Sequence, residues 1–161
     1  MKIRKIAGAV AATAIMFSIG APAPASAADN MKLFGTQETL IDYGLGTEIG
    51  YTVTGLMPSA DVIPSPVGGR LYEATVTAEA LRGTVTPVVP FFNARAQSGH
   101  NYRVLANVWT PQGLSGAALP PGASTTGKIY FDVVGDTPNS VVYNDGSHDL
   151  LGWVDPPVVV P

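Results

Sequence analysis

The chain has 161 residues, no cysteine, and twelve acidic against nine basic residues. The absence of cysteine excludes disulfides, thiolate-bound zinc and thiol nucleophiles. Gly and Pro are abundant, with 18 and 14 residues, and the periodic segments are rich in Val, Thr, Tyr and Ile, which indicates an all-β protein.

The N-terminus has the pattern of a cleaved secretory signal peptide over residues 1–27. Residues 1–5 are basic, residues 6–20 form an apolar run, and small residues in an A-x-A arrangement end at Ala27, after which we expect cleavage. A helix over the apolar run spans about 22 Å, less than the roughly 30 Å hydrocarbon core of a bilayer. We therefore expect a secreted, extracellular protein without a stable membrane anchor.

Removal of the signal leaves residues 28–155, a length typical of one domain, and a Pro-rich tail at residues 156–161. The signal holds three of the nine basic residues and no acidic one, so the mature chain has six basic and twelve acidic residues, a net charge of −6. Because nucleic acids and anionic membranes repel such a chain, we expect no nucleic-acid partner.

The first half of the mature chain contains three predicted strands. The leader up to Gly35 has no clear pattern, a strand is expected at residues 37–43, and a clearer one at 47–54 ends at Gly55. A Pro-rich loop follows over residues 57–69. Residues 70–81 alternate strictly, with Tyr72, Ala74, Val76, Ala78 and Ala80 on one face, which favours a strand over a helix.

The second half is organised around the predicted strand at residues 124–134, in which Ile129, Phe131 and Val133 face inward and Lys128, Tyr130 and Asp132 outward. Further segments precede and follow it: a short strand at 84–89, a strand or helical turn at 91–97, and strands at 101–109, 140–143 and 150–154. The total of about eight or nine short strands predicts an antiparallel β-sandwich.

A series of short motifs runs in order along almost the whole mature chain: Val62-Ile63-Pro64, Glu73–Thr77, Arg82–Pro87, Phe92–Arg95, Asn101–Leu105, Gly127–Val133, and Asp149–Leu151 with Trp153. These motifs resemble the small secreted mycobacterial antigens called immunogenic protein 63. The resemblance implies an immunoglobulin-like β-sandwich and export. It transfers no catalytic residues, because no enzymatic activity is assigned to the family, and a binding role drawn from the fold is analogy.

Candidate catalytic residues are few. His100 and His148 lie in predicted turns, where histidines are more often solvated than part of a metal site with three or four converging ligands. A weak metal site or a His–acid pair of His148 with Asp145 or Asp149 is the alternative. Ser115 stands in an incomplete G-x-S-x-G motif. Glu73 and Glu79 lie about 20 Å apart on one extended strand, too far for a glycosidase pair. We therefore predict no catalytic residue, no metal site and no cofactor.

The most informative polar and aromatic segment lies between Pro90 and Gly99. Aromatic residues and Arg are enriched at the centres of protein interfaces. The predicted interaction surface consists of Phe91, Phe92, Asn93 and Arg95, with Trp109 as a second element. The alternative is that one phenylalanine belongs to the core and that Arg95 pairs with an acid such as Glu73, because one side of such a segment must pack.

We therefore predict a non-enzymatic extracellular binding protein of the antigen type, with a host or cell-surface protein as partner. The sequence does not predict its oligomeric state. The alternative function is a carrier of a small apolar ligand in the cell envelope, with a cavity between the sheets lined by Ala74, Ala78 and Ala80. A hydrolase is the third hypothesis, and it requires His100 or His148 within reach of a nucleophile and an orienting acid.

Overall fold

The computed structural model describes residues 31–156, which form an immunoglobulin-like sandwich of two β-sheets. Within this range the strands are β1 (Lys32–Leu33), β2 (Gln37–Asp42), β3 (Thr47–Pro58), β4 (Arg70–Arg82), β5 (Phe92–Ala96), β6 (Asn101–Arg103), β7 (Ser124–Val133), β8 (Pro138–Asn144) and β9 (Asp149–Val154). A single 3-10 turn, Val89–Phe91, precedes β5. The all-β prediction is confirmed. The signal peptide with its cleavage after Ala27, and residues 157–161 of the tail, lie outside the described residues.

The four-stranded sheet has the order β2-β3-β4-β7, and the five-stranded sheet has the order β1-β9-β8-β5-β6. Neighbouring strands are antiparallel except β1, which pairs with β9 in parallel through Lys32 and Leu33. No pattern in the leader predicts this short strand. Its pairing brings the beginning of the described chain beside the last strand.

Strand β4 confirms the predicted alternation. The side chains of the predicted inner face are buried, and they are Tyr72, Ala74, Val76, Ala78 and Ala80. They meet large side chains of the facing sheet in one core that contains Phe92, Tyr143 and Trp153. The small alanines therefore allow close packing between sheets that carry large aromatic residues.

Strand β3 is longer than predicted, because it passes Gly55 instead of ending there. The register shifts between Thr54 and Leu56, and Gly55 has a φ of +63°, which a glycine adopts without strain. The expected stop is therefore a β-bulge. The strand ends at Pro58, which pairs with Tyr72 although it lacks a backbone N–H donor.

Two predicted strands are shorter than the sequence pattern suggested. Residues 84–89 contribute one bridge, between Val85 and Leu119, and the strand expected at 101–109 ends at Arg103 except for one bridge from Val104. Residues 104–116 instead form a loop along the free edge of β7, which we call the Trp109 loop. Tyr130 was expected to face solvent, but this loop covers it and leaves it 2% exposed.

Two polar contacts join the sheets at the β2–β9 side. The indole Nε1 of Trp153 donates to the carbonyl of Thr36 at 2.8 Å, and the backbone N–H of Gly152 donates to Glu38 Oε1 at 3.0 Å. Burial raises the pKa of the Glu38 carboxyl, and the Gly152 N–H partly opposes that shift. Glu38 is thus a buried acidic residue in the edge strand β2, whose other side chains are exposed or half-buried.

Over residues 31–156 no helix reaches the length and apolarity needed to cross a membrane.

Candidate functional site

The structure does not bring the five predicted surface residues to one surface. Phe92 is fully buried and packs edge-to-face on Tyr51 with ring centres 5.4 Å apart, and Asn93 is 6% exposed. Phe91 is half-buried, whereas Trp109 is 82% exposed. Alternation in β5 sends Phe92 into the core. Of the predicted aromatic residues, Trp109 is the most exposed.

Arg95 pairs with Asp149 and not with Glu73. Its Nη1 and Nη2 atoms lie 2.5 Å and 3.0 Å from the two carboxylate oxygens of Asp149, so the pair is bidentate across β8. The Arg95 guanidinium, and then the amide of Asn144, hold the pKa of Asp149 below its usual value. The pair fixes the outer face of the five-stranded sheet.

Replacing Arg95 with alanine is expected to lower the free energy of unfolding by about 2 kcal/mol at pH 7, because Asp149 would lose two charge-assisted hydrogen bonds. The folded pKa of Asp149 lies below its unfolded value. The pair therefore stabilises the protein above about pH 4 and loses its effect as pH falls through the folded pKa. Urea unfolding at pH 7 and pH 3 measures both effects.

Arg103→Ala is the matched control for Arg95, because Arg103 is exposed and forms no ion pair within residues 31–156. We expect that control to change stability by less than about 0.5 kcal/mol. A loss in the Arg95 variant that was equal at pH 7 and pH 3 would contradict the role given to the pair.

The Trp109 loop borders a depression of about 370 Å³ at the edge of the sandwich beside β7. Its lining is largely apolar and includes Val89, Leu105, Val108, Leu114 and Ile129. Trp109 stands at the rim, between this depression and a second one of about 290 Å³ on the other side of the loop. The arrangement offers one large exposed aromatic side chain beside a concave apolar surface.

Backbone contacts hold the Trp109 loop in place. Leu105 N–H donates to the carbonyl of Tyr130 at 2.8 Å, Leu114 N–H to that of Lys128 at 2.9 Å, and Lys128 N–H to that of Gln112 at 2.7 Å. Gly127 permits this approach, since a Cβ atom there would lie 2.5 Å from Leu114 Cα. The loop is thus docked on β7 almost as a further strand.

A polar cluster lies on the outer face of β4 and β7. Lys128 Nζ is 2.7 Å from Asp61 Oδ2 and 2.9 Å from Glu73 Oε1, and the Tyr130 hydroxyl donates to Asp61 Oδ2 at 2.7 Å. Ser59 also donates to Glu73. The bonds from Lys128 and then Tyr130 lower the pKa of Asp61, while Asp61 and Glu73 raise that of Lys128. The lysine therefore stays protonated and has no lone pair for nucleophilic attack, so the cluster fastens residues 59–61 to the sheet.

A wider groove of about 600 Å³ opens at one end of the sandwich. The hydroxyls of Tyr51 and Tyr143 lie at its base, and burial raises the pKa of both groups, so both stay neutral. Tyr43 and Leu45 stand at its rim and are 89% and 77% exposed. The groove therefore combines apolar walls with neutral hydroxyls.

The histidines do not assemble a catalytic group with the neighbouring serine and acid. Ser147 Oγ lies 3.0 Å from His148 Nδ1, but Asp145 accepts from the Ser147 hydroxyl and from the backbone N–H groups of residues 147 and 148, and no bond joins it to the imidazole. These bonds lower the pKa of Asp145 to about 2. His100 stacks on Tyr102 with ring centres 4.6 Å apart. An acid that binds the serine cannot orient the imidazole as a general base.

Ser115 accepts a hydrogen bond from the N–H of Ala117 at 3.2 Å, which is an ordinary turn contact. Among residues 31–156, no group of three or more His, Asp or Glu side chains is placed to hold a metal ion.

Sequence reasoning missed the Asp61–Lys128 pair and the groove at the end of the sandwich. Asp61 and Lys128 lie far apart in the chain, and no local pattern links them. The groove did leave a signal, because Tyr43 and Leu45 flank Gly44 in a turn, where large apolar side chains are uncommon.

Fold and surface features together define a small, cysteine-free immunoglobulin-like β-sandwich with a tryptophan-bearing loop along one sheet edge. A family described as "Domain of unknown function (DUF1942)" matches residues 29–153. The chain is 44% identical over 150 residues to immunogenic protein MPB63 of Mycobacterium bovis and to immunogenic protein MPT63 of Mycobacterium tuberculosis, covering 92% of this chain and 94% of each relative. The chain belongs to this mycobacterial immunogenic protein family, which confirms the resemblance seen in its motifs.

A solved structure supports the same assignment. The crystal structure of the secreted protein MPT63 from Mycobacterium tuberculosis matches with a TM-score of 0.75 and 45% identity, covering 80% of this chain and 99% of that chain. The two proteins therefore share the sandwich fold.

Proposed function

We propose that the protein is exported and acts outside the cell as a non-enzymatic binding protein of the antigen type, with the Trp109 loop as its contact surface for a host or cell-surface protein. Export is supported by the signal-peptide pattern of residues 1–27 and by the similarity to a protein described as secreted. The observation that carries the binding role is the 82% exposure of Trp109 beside the depression of about 370 Å³.

Exposed tryptophan supports an interface because its burial by a partner is strongly favourable. A Trp side chain buries roughly 150–250 Å² and is enriched among residues that dominate binding energy. The depression beside it could accept an apolar side chain of the partner. The loop between β3 and β4 adds Val62, which is 96% exposed and follows Asp61, the residue that pairs with Lys128 in the lining of the depression. The two loops would together form the centre of the contact.

Trp109→Ala is expected to weaken binding at least tenfold, since tryptophan at an interface centre contributes more than about 1.4 kcal/mol. The measurement is the concentration dependence of fluorescently labelled protein bound to cultured host cells, with excess unlabelled protein as competitor. Leu45→Ala is the matched control, because Leu45 is similarly exposed but lies at the groove at the end of the sandwich. Equal affinity of the Trp109 variant and the unchanged protein would rule out this surface.

The second candidate function, carriage of a small apolar ligand, is favoured by the groove that holds Tyr51 and Tyr143. The location expected from the sequence was wrong, because Ala74, Ala78 and Ala80 are at most 2% exposed in the packed core and line none of the depressions described above. Native mass spectrometry of the protein purified from its culture medium tests the groove. An added mass that is lost on denaturation would support carriage, and the bare chain mass would contradict it.

A further inference from the structure

A polar cleft of about 340 Å³ lies on the outer face of the five-stranded sheet, away from the Trp109 loop. We call it the amide cleft, and the lining residues that matter here are Phe91, Asn93, Asn101, Arg103, Asn144 and Asp145. These residues come from the 3-10 turn, from β5 and β6, and from the end of β8 with its turn. Three carboxamides, a guanidinium, a carboxylate and an aromatic ring therefore converge on one concave surface.

Hydrogen bonds fix the carboxamides in orientation. Asn93 Nδ2 donates to the carbonyl of Phe91 at 3.0 Å, and Asn101 Nδ2 donates to Asn93 Oδ1 at 3.2 Å. Asn144 Nδ2 donates to Asp149 Oδ1 at 2.7 Å, on the carboxylate that Arg95 holds. A carboxamide has two N–H donors, and within residues 31–156 each of these three uses one. The cleft is thus preorganised, and the exposed Asn101 and the half-buried Asn144 each keep a spare donor.

The charged groups of the cleft supply a donor and an acceptor that together carry no net charge. Arg103 lies directly across from Asn93 in the β5–β6 pairing and has no ion-pair partner in the described part of the chain. Asp145 uses Oδ1 for its three turn contacts, which leaves Oδ2 as an acceptor. Balanced charges in a protein with an excess of acidic residues favour a neutral ligand over an acidic one.

The aromatic wall completes the chemistry. Phe91 lines the cleft and is half-buried, and its ring packs at 75° to that of Tyr143 with ring centres 5.5 Å apart. Its remaining surface can pack against an apolar C–H face, while the amides, Arg103 and Asp145 reach hydroxyl groups at the edge of the same ligand. A compact ring with one C–H face and several vicinal hydroxyls has this combination of groups.

We propose that the amide cleft binds a neutral hexose in its pyranose form, either free or as part of a glycan. Arg103 and the spare amide N–H groups donate to hydroxyl oxygens, Asp145 Oδ2 accepts from a hydroxyl, and Phe91 packs on the C–H face. This inference goes beyond the protein-binding role of the Trp109 loop and is independent of it.

The test is a titration of ¹⁵N-labelled protein with D-glucose, D-mannose and D-galactose, observed through the side-chain amide signals of the three asparagines. At least one hexose is expected to give saturable shifts with a Kd of about 1–10 mM, as for a ligand of this size with ordinary binding energy per atom. The same titration with the matching methyl glycoside, which mimics a glycan-linked sugar, distinguishes a free sugar from a glycan residue.

Arg103→Ala and Asn101→Ala are each expected to weaken the affinity for the hexose at least tenfold. Both residues are exposed, so we expect both variants to fold. Arg70→Ala is the matched control for an exposed arginine elsewhere, and Trp109→Ala should leave hexose binding unchanged. Absence of saturable shifts up to 50 mM with every hexose would overturn the proposal. Equal shifts from sodium acetate would also overturn it, because they would indicate simple anion binding at Arg103.

Discussion

Replacing Trp153 with alanine is expected to lower the free energy of unfolding by about 4 kcal/mol, a value typical of the truncation of a buried tryptophan. Trp153 is fully buried, stacks on Phe92 with ring centres 6.4 Å apart, and donates from Nε1 to the carbonyl of Thr36 at 2.8 Å. The change would leave a large cavity and a carbonyl without its donor. Natural domains are stable by about 5–15 kcal/mol, so this loss removes a large share of the total.

The matched control for Trp153 is Trp109, the other tryptophan of the chain. Trp109→Ala removes the same atoms from an exposed loop position and is expected to change stability by less than about 0.5 kcal/mol. Urea unfolding followed by far-ultraviolet circular dichroism measures both variants without relying on tryptophan fluorescence. Equal losses in the two variants would contradict the assignment of one tryptophan to the core and the other to the surface.

Replacing Gly127 with alanine is expected to displace the Trp109 loop and to lower the free energy of unfolding by about 3 kcal/mol. The new Cβ would lie 2.5 Å from Leu114 Cα and N, and backbone atoms cannot rotate away as the end of a flexible side chain can. Moving the loop would break the hydrogen bonds that Lys128 makes to Leu114 and Gln112. Urea unfolding measures the loss of stability, and the cell-binding measurement reports the loss of the surface.

Gly116→Ala is the control within the same loop. A Cβ at Gly116 would have Pro87 O as its nearest neighbour, at 3.7 Å, which is an ordinary contact. We expect its stability to change by less than about 0.5 kcal/mol. If Gly127→Ala were as stable as Gly116→Ala, the close docking of the loop on β7 would be wrong.

The fold was largely predictable because its signals are local. In β4 the side chains alternate strictly, and that alternation alone distinguishes a strand from a helix and identifies the face with Ala74, Ala78 and Ala80 as buried. The bulge at Gly55 and the parallel pairing of Lys32 with Trp153 were missed. Both depend on a neighbouring strand, which a local pattern does not contain.

For the candidate surface, the sequence predicts residue types but not which side chains stay exposed. Trp109 is predicted from its residue type alone, and it is 82% exposed. Phe92 was grouped with it by position in the chain, yet the period of a strand sends Phe92 to the core and Asn93 to the opposite face. The partner of Arg95 could not be predicted from the sequence either, because Asp149 becomes its neighbour only through the pairing of β5, β8 and β9.

Sequence by itself therefore determined the cysteine-free β-sandwich, the family and the buried face of β4, because composition, alternation and motif order are properties of neighbouring residues. Tertiary structure alone decided which outward residues stay exposed. Tyr130 faces outward from β7 as predicted, but the Trp109 loop covers it, whereas Val62 and Trp109 remain open. The amide cleft likewise exists only where separate strands and turns meet, since its groups come together through sheet pairing and not through nearness in the chain.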